Sequence, residues 1–264
     1  MDIKPSGDRA VIVEFGSTID PALVARVRSL DEQIASRLRI VPDGAFAGVL
    51  ETVPTFRSLA IVFDPLVTTP EAVALAIRAL PTSEHGATGD QHRAWKLPVI
   101  YGGEYGPDLD EVARTAQLEP EEVISRHINT PVSVYLLGFM PGFAFMGDTD
   151  AQLQLPRRTE PRVRVPAGSV GLALTLTAIY PWQSPGGWHL IGHSPVPLFD
   201  PNREKASLLA PGDHVSFYAV EEEEHADLVD QLKQDASQVA QFLDEGDSGA
   251  DTGIVGRVGG RPDD

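Results

Sequence analysis

Four arginines, Arg157, Arg158, Arg162 and Arg164, stand within eight residues on a chain whose formal net charge is −17. A guanidinium offers a flat fork of N–H donors that matches a carboxylate or a phosphate. On an acidic chain such a cluster reads either as an anion site or as an ion-paired rim. In an extended run Arg162 and Arg164 share one face, and Val163 and Val165 point to the other, toward a core. Downstream, YPWQSPGGWHLIGHSP places Gln183, Trp188, His189 and His193 among prolines and glycines. Upstream, GFMPGFAFMG places Phe139, Phe143 and Phe145 beside Gly138, Gly142 and Gly147. Aromatic and histidine side chains on a turn-rich surface suit a small-molecule pocket or a protein interface, and core packing is the equal alternative for the aromatics. His127 and His189 are the candidate catalytic groups, because imidazole transfers protons near neutral pH. His127 also reads as a helix-end histidine favoured by the macrodipole. Arg157, Arg162, Arg164, Gln183, Trp188 and Phe143 are the candidate substrate contacts.

No self-sufficient catalytic set accompanies these residues. The chain has no cysteine, which excludes thiolate nucleophiles, disulfides and Cys-ligated metals. It lacks G-x-x-x-x-G-K-[ST], H-E-x-x-H and G-x-S-x-G, and the glycines of YGGEYG do not fit G-x-G-x-x-G. Ser169 follows a glycine in PAGSVG, but spacing sets no His or Asp beside it. His85, His92 and His225 fall in polar segments, where exposure is expected. No compact His/Asp/Glu cluster suggests a metal. What remains is one wall of a site, to be completed by another chain.

The elements that must carry this wall fall into two groups. Residues 7–14 read as a strand. Asp20 and Pro21 start a helix with Leu23, Val24, Val27, Leu30, Ile34 and Leu38 at helical spacing. Strand-like runs follow at 46–53 and 57–63, then a helix from Pro70 with Val73, Ala76, Ile77 and Leu80 on one face. A strand through Trp95 to Ile100 completes a split βαβ pattern, which predicts a ferredoxin-like domain over 1–90. Helices start near Pro107–Asp108 and at Pro120. From Val132 onward short strands alternate with Gly/Pro turns, as in a barrel or sandwich over 91–220. A helix over about 222–243 and an acidic tail, disordered beyond Gly246, occupy 221–264. That last segment holds 13 acidic and 3 basic residues, so most of the net charge sits there. The acidity argues against nucleic acid as a partner. The absence of a long apolar run argues against a membrane span or signal peptide and fits a cytoplasmic protein.

The segments LLGFMPGFAFMG, LPRRTEPRVRVPAGSVGLA, YPWQSPGGWHLIGHSP and LFDPNREKASLLAPGDHVSF resemble the 5-oxoprolinase B-subunit family, also described as allophanate hydrolase subunit 1 and including the kinase inhibitor KipI. GDRAVIVEFG, ETVPTFRSLAIVFDP, PVIYGGEYGPDLDEVA and EEVISRH fit the same pattern, which spans roughly residues 5–220. The family commonly shows Cys where this chain has Ile100, and Arg where it has His193. The resemblance implies an α+β fold, an N-terminal ferredoxin-like domain followed by a C-terminal cyclophilin-like β-barrel. It implies one component of a hydrolase that works with a carboxyltransferase-like C-subunit and a LamB/YcsF-like A-subunit. That complex uses ATP to convert 5-oxo-L-proline to L-glutamate, and no cofactor is evident in this chain itself. In such a complex the arginine cluster would hold the substrate carboxylate. The alternatives it implies are a KipI-like inhibitor of a sensor histidine kinase, and subunit 1 of an allophanate hydrolase or urea carboxylase system.

Overall fold

The first helix shows how directly the local sequence is obeyed. Asp20 accepts a hydrogen bond from the Ala22 N–H at 2.7 Å, Pro21 opens α1 (Pro21–Ile40), and Val24, Val27, Leu30 and Ile34 are buried on one stripe. A computed structural model of the chain describes residues 1–81 and 93–244. His85, His92, the polar loop between them and the tail beyond Asp244 lie outside the described residues. Before α1 come β1 (Asp2–Ser6) and β2 (Ala10–Glu14); after it come β3 (Val49–Pro54), β4 (Ser58–Phe63) and α2 (Pro70–Arg78). Thr69 caps α2 by accepting from the Ala72 N–H. The four strands form an antiparallel sheet in the order β1-β2-β4-β3. Val11 and Val13 of β2 and Leu59, Ile61 and Phe63 of β4 alternate inward against the two helices.

This is the strand order of a ferredoxin-like sheet, but one edge comes from a different place in the chain. The run through Trp95 to Ile100, expected to close the split βαβ pattern, is β5 (Ala94–Tyr101) of the barrel. The edge it would have filled is taken by β1. Burial explains the exchange. Trp95, Leu97, Val99 and Ile100 are all buried, as suits a strand with a neighbour on each side. The residues of β1 are mostly exposed, with Lys4 paired to Glu14 and Pro5 in the strand, which suits an edge.

The second part contains α3 (Leu109–Ala116), α4 (Pro120–Asn129), β6 (Val132–Leu137), β7 (Ala144–Gly147), β8 (Arg162–Val165), β9 (Ser169–Ala173), β10 (Leu176–Ile179), β11 (Ser184–Gly186), β12 (His189–His193), β13 (His214–Ala219), α5 (Glu222–Gln234) and β14 (Leu243–Asp244). Among the described residues seven strands close a barrel in the order β12-β9-β10-β7-β6-β13-β5, sealed by the pairing of β5 with β12. The β5–β13 pair is parallel and the others antiparallel. The interior is filled by side chains such as Leu97, Val134, Met146, Leu172, Ile191 and Phe217. Strands β8 and β11 form a separate ribbon beside the barrel. Because this ribbon lies outside the ring, Val163 is 83% exposed and only Val165 reaches a core, contrary to the expectation for both. The mixed α+β class, with a closed barrel and a separate small sheet, is as expected.

Two further points bear on the site. The aromatic residues Phe143, Tyr180 and Trp188 form a cluster with Val24 of α1 and with Phe56, so the small sheet's layer packs directly on the barrel. The expected helix over 222–243 ends at Gln234. Asp235 takes an extended conformation and caps a 3-10 segment by accepting from the Ser237 N–H, and β14 then joins β5.

Candidate functional site

The loop after β5 is where the barrel end is built. An added Cβ at Gly106 would lie 2.1 Å from the Ile191 carbonyl oxygen, so only glycine brings this loop against β12. The Gly102 N–H donates to the Ile191 carbonyl at 3.0 Å, which fixes the same contact. Asp108 follows. It stands at the N-cap of α3, yet its carboxylate makes no capping bond. It is turned away to accept from the Leu190 N–H at 2.7 Å and from Arg162, whose two Nη atoms lie 2.7 Å from the two oxygens. Arg158 adds a third charged donor at 2.9 Å and reaches Glu111 at 3.2 Å. Asp108 is 3% exposed. Burial pushes its carboxyl up, but the Arg162 hydrogen bonds, the Leu190 N–H and the charges of Arg162 and Arg158 outweigh that and hold it below the usual carboxylate range.

This hub ties loop, ribbon and β12 together around a cleft of about 380 Å³, whose lining includes Glu104, Tyr105, Arg162, Arg164, Ser169 and His193. Arg162 is held in the cleft wall by Asp108. Arg164 is exposed and has no ion-pair partner among the described residues. Ser169 and His193 are cross-strand partners on β9 and β12. His193 bonds through Nε2 to the Ala167 carbonyl at 3.0 Å and through Nδ1 to Nε2 of His225 at 2.8 Å. Gly168, with φ +82°, makes room for the imidazole: a Cβ there would sit 2.3 Å from Nε2. His225 is buried under the Tyr105 ring, not exposed as its polar segment suggested.

The remaining expected site residues lie elsewhere. Arg157 and Gln183 are exposed. Trp188 and Phe143 are 5% and 1% exposed and belong to the aromatic cluster. His189 is buried, with Nε2 bonded to the Pro156 carbonyl at 3.0 Å. His127 lies inside the barrel, bonded to the Tyr101 hydroxyl at 2.7 Å and the Thr177 hydroxyl at 3.0 Å, and stacked on Phe217. Burial pushes its pKa down to about 3, so it is neutral at pH 7. The arginine cluster is thus divided: Arg158 and Arg162 serve the hub, and Arg164 faces the cleft. Asp108, Glu104 and Tyr105 are site residues that the sequence shows only as parts of a loop and a helix start. An arginine cluster on an acidic chain does call for a carboxylate partner, but nothing in the spacing singles out Asp108. No group of three or more His, Asp or Glu side chains suited to a metal occurs among the described residues. No helix among them is long and apolar enough to cross a membrane.

Comparison with known proteins places these features in a family. The chain is 36% identical over 233 residues to the 5-oxoprolinase B-subunit of Bacillus subtilis (strain 168), covering 84% of this chain and 94% of that one. It superimposes on the crystal structure of TTHA0988 with a TM-score of 0.69 and 37% identity, covering 81% of this chain and 40% of that longer one. The Kluyveromyces lactis urea carboxylase shares the fold at a TM-score of 0.63 and 19% identity, over 91% of this chain and 25% of the other. The family described as carboxyltransferase domain, subdomain C and D, matches residues 1–209, and the chain belongs to that family.

Proposed function

We propose that this chain is one component of an ATP-dependent 5-oxoprolinase, and that its cleft beside Arg164 is one wall of an active site completed by a carboxyltransferase-like partner. A LamB/YcsF-like protein is the third member of the complex. The reaction opens a cyclic amide: the ring C–N bond of 5-oxo-L-proline breaks, water oxygen adds to the carbonyl carbon, and the nitrogen becomes the α-amino group of L-glutamate. ATP is used by the complex. This chain has no phosphate-loop sequence of its own.

The observation that carries this reading is the 36% identity to a 5-oxoprolinase B-subunit across 94% of that relative's length. The geometry supports it. Arg164 stands at the cleft with no ion-pair partner among the described residues, suited to the substrate carboxylate. Both nitrogens of the cleft histidine are already bonded to protein. In this reading the partner supplies the hydrolytic groups. The test is glutamate formation by the purified three-protein mixture with ATP and 5-oxo-L-proline. Activity should require this chain, and full activity in its absence overturns the proposal. Turnover of urea or allophanate in place of 5-oxo-L-proline would move the assignment to the urea carboxylase branch.

A further inference from the structure

While His193 is neutral, the hydrogen bond between it and His225 has one direction. The Ala167 carbonyl only accepts, so Nε2 of His193 carries a hydrogen. A neutral imidazole has one N–H, so Nδ1 of His193 is a bare acceptor. The hydrogen between the two rings then belongs to Nε2 of His225. If both rings were protonated, two N–H groups would face each other across 2.8 Å. His225 sits in the first turns of α5, where the helix dipole disfavours a cation. This helix lies beyond residue 209, where the family match ends. It reaches back to the cleft through His225, while Tyr105 packs on both rings at centroid distances of 5.9 and 5.0 Å.

We propose that His225 is a positioning residue for the Arg164 cleft: by donating to Nδ1 it holds His193 neutral and fixes its ring, leaving Arg164, which has no ion-pair partner among the described residues, as the cation that meets an anionic ligand. This rests on the reading of the cleft as the carboxylate-binding wall. The other ionisable groups around the pair are Glu104 and Tyr105 on the loop, Arg162 on β8 and already held by Asp108, Glu222 on α5, and Lys233, which lines the neighbouring groove with His193. Burial and the adjacent His225 push the pKa of His193 down to about 4, with the Ala167 carbonyl opposing. Burial also lowers that of His225, against Glu222. Both shifts favour the neutral forms of the pair. Protonating His193 turns its Nδ1 from acceptor to donor, so His225 can keep the bond only by moving its own proton from Nε2 to Nδ1, and it puts a second cation beside Arg164.

The experiment is nitrogen-15 NMR of the histidine rings in the full chain, followed through a pH titration. The wild type should show His193 as the Nε2–H tautomer, titrating well below 6.5. His225→Ala should raise its midpoint by at least one pH unit, while His225→Gln, whose amide can still donate, should restore it. In the complex, His225→Ala should make KM for 5-oxo-L-proline fall several-fold more between pH 8 and pH 6 than in the wild type, with kcat little changed. An Nδ1–H tautomer in the wild type overturns the proposal, as does a midpoint or KM profile that ignores His225→Ala. If the NMR behaviour holds but the complex turns over no 5-oxo-L-proline, the proposed function fails and the positioning of His193 stands.

Discussion

Arg162 and Asp108 meet as a two-pronged pair, both N···O distances 2.7 Å, although 54 residues separate them. The pair joins the β8–β11 ribbon to the start of α3, and through the Leu190 N–H it also fixes β12. Three segments that form the cleft thus share one carboxylate.

Replacing that carboxylate tests the hub. Asp108→Asn keeps the shape but leaves two guanidiniums facing a neutral amide. Breaking a buried ion pair by removing one partner is strongly destabilising, and partial solvent access to the arginines reduces the effect to about 2–4 kcal/mol. Urea unfolding at pH 7 measures it. Because the Asp108 carboxyl is held below its ordinary range, its contribution is present above about pH 4 and is lost as pH falls through the folded value. The variant should lack that part of the acid loss.

His127 acts on the same side of neutrality by the opposite logic. Its folded pKa, about 3, lies below its ordinary 6.5, so the unfolded chain takes up a proton in that window and the folded chain does not. Stability is fully present above about pH 6.5 and falls toward pH 3 by up to about 1.4 kcal/mol per pH unit from this group. His127→Gln retains both a donor and an acceptor for Tyr101 and Thr177. It should flatten the slope of unfolding free energy between about pH 6.5 and pH 4.

The aromatic cluster gives a prediction about packing. Trp188 lies edge-on to Phe143 at 5.8 Å, within the layer between barrel and small sheet. Trp188→Ala should destabilise the chain by about 3–5 kcal/mol, as large core truncations do. The loss should appear in thermal unfolding, and activity measured well below the unfolding temperature should be retained, because the side chain does not line the cleft.

How much of this was legible in the sequence follows from the range of each interaction. Helices α1 and α2 were readable because Asp20, Thr69 and the following prolines act within one turn. The barrel strands were readable because glycine and proline punctuate them. The place of β5 was not, because its pattern fits either sheet, and the choice turns on pairing with β12 and β13, far along the chain. The arginine cluster was visible as a cluster. Its division into Arg162 in a pair and Arg164 at a cleft depends on Asp108, and no local pattern records that partner. His225 looked exposed because its neighbours are acidic. Its burial comes from the fold of α5 onto the loop that carries Tyr105.

Gly168 sits beside the cleft histidine. Its φ of +82° is left-handed, which an alanine adopts at a cost of roughly 1–2 kcal/mol. The new Cβ would meet His193 Nε2 at 2.3 Å. Gly168→Ala should therefore displace His193 from the Ala167 carbonyl and destabilise by more than the backbone strain alone. The histidine NMR spectrum should show the loss of the Nε2–H···O bond.

The contrast among the arginines is the sharpest test of the site. Arg157 is exposed, Arg162 is paired with Asp108, and Arg164 lines the cleft with no ion-pair partner among the described residues. A charge-assisted hydrogen bond to a substrate carboxylate contributes about 1.5–3 kcal/mol, or roughly 10- to 150-fold. Arg164→Ala should lose that much in kcat/KM for 5-oxo-L-proline while the isolated chain unfolds at its normal urea concentration. Arg157→Ala should leave both quantities unchanged. Arg162→Ala should lower stability first, since it strips Asp108 of its bidentate partner, and should impair activity only through the altered cleft wall. Steady-state kinetics of the reconstituted complex beside urea unfolding of each variant separates the three. Equal activity of the Arg157→Ala and Arg164→Ala complexes would remove Arg164 from the binding role, because charge at the cleft is the property that distinguishes these two exposed side chains.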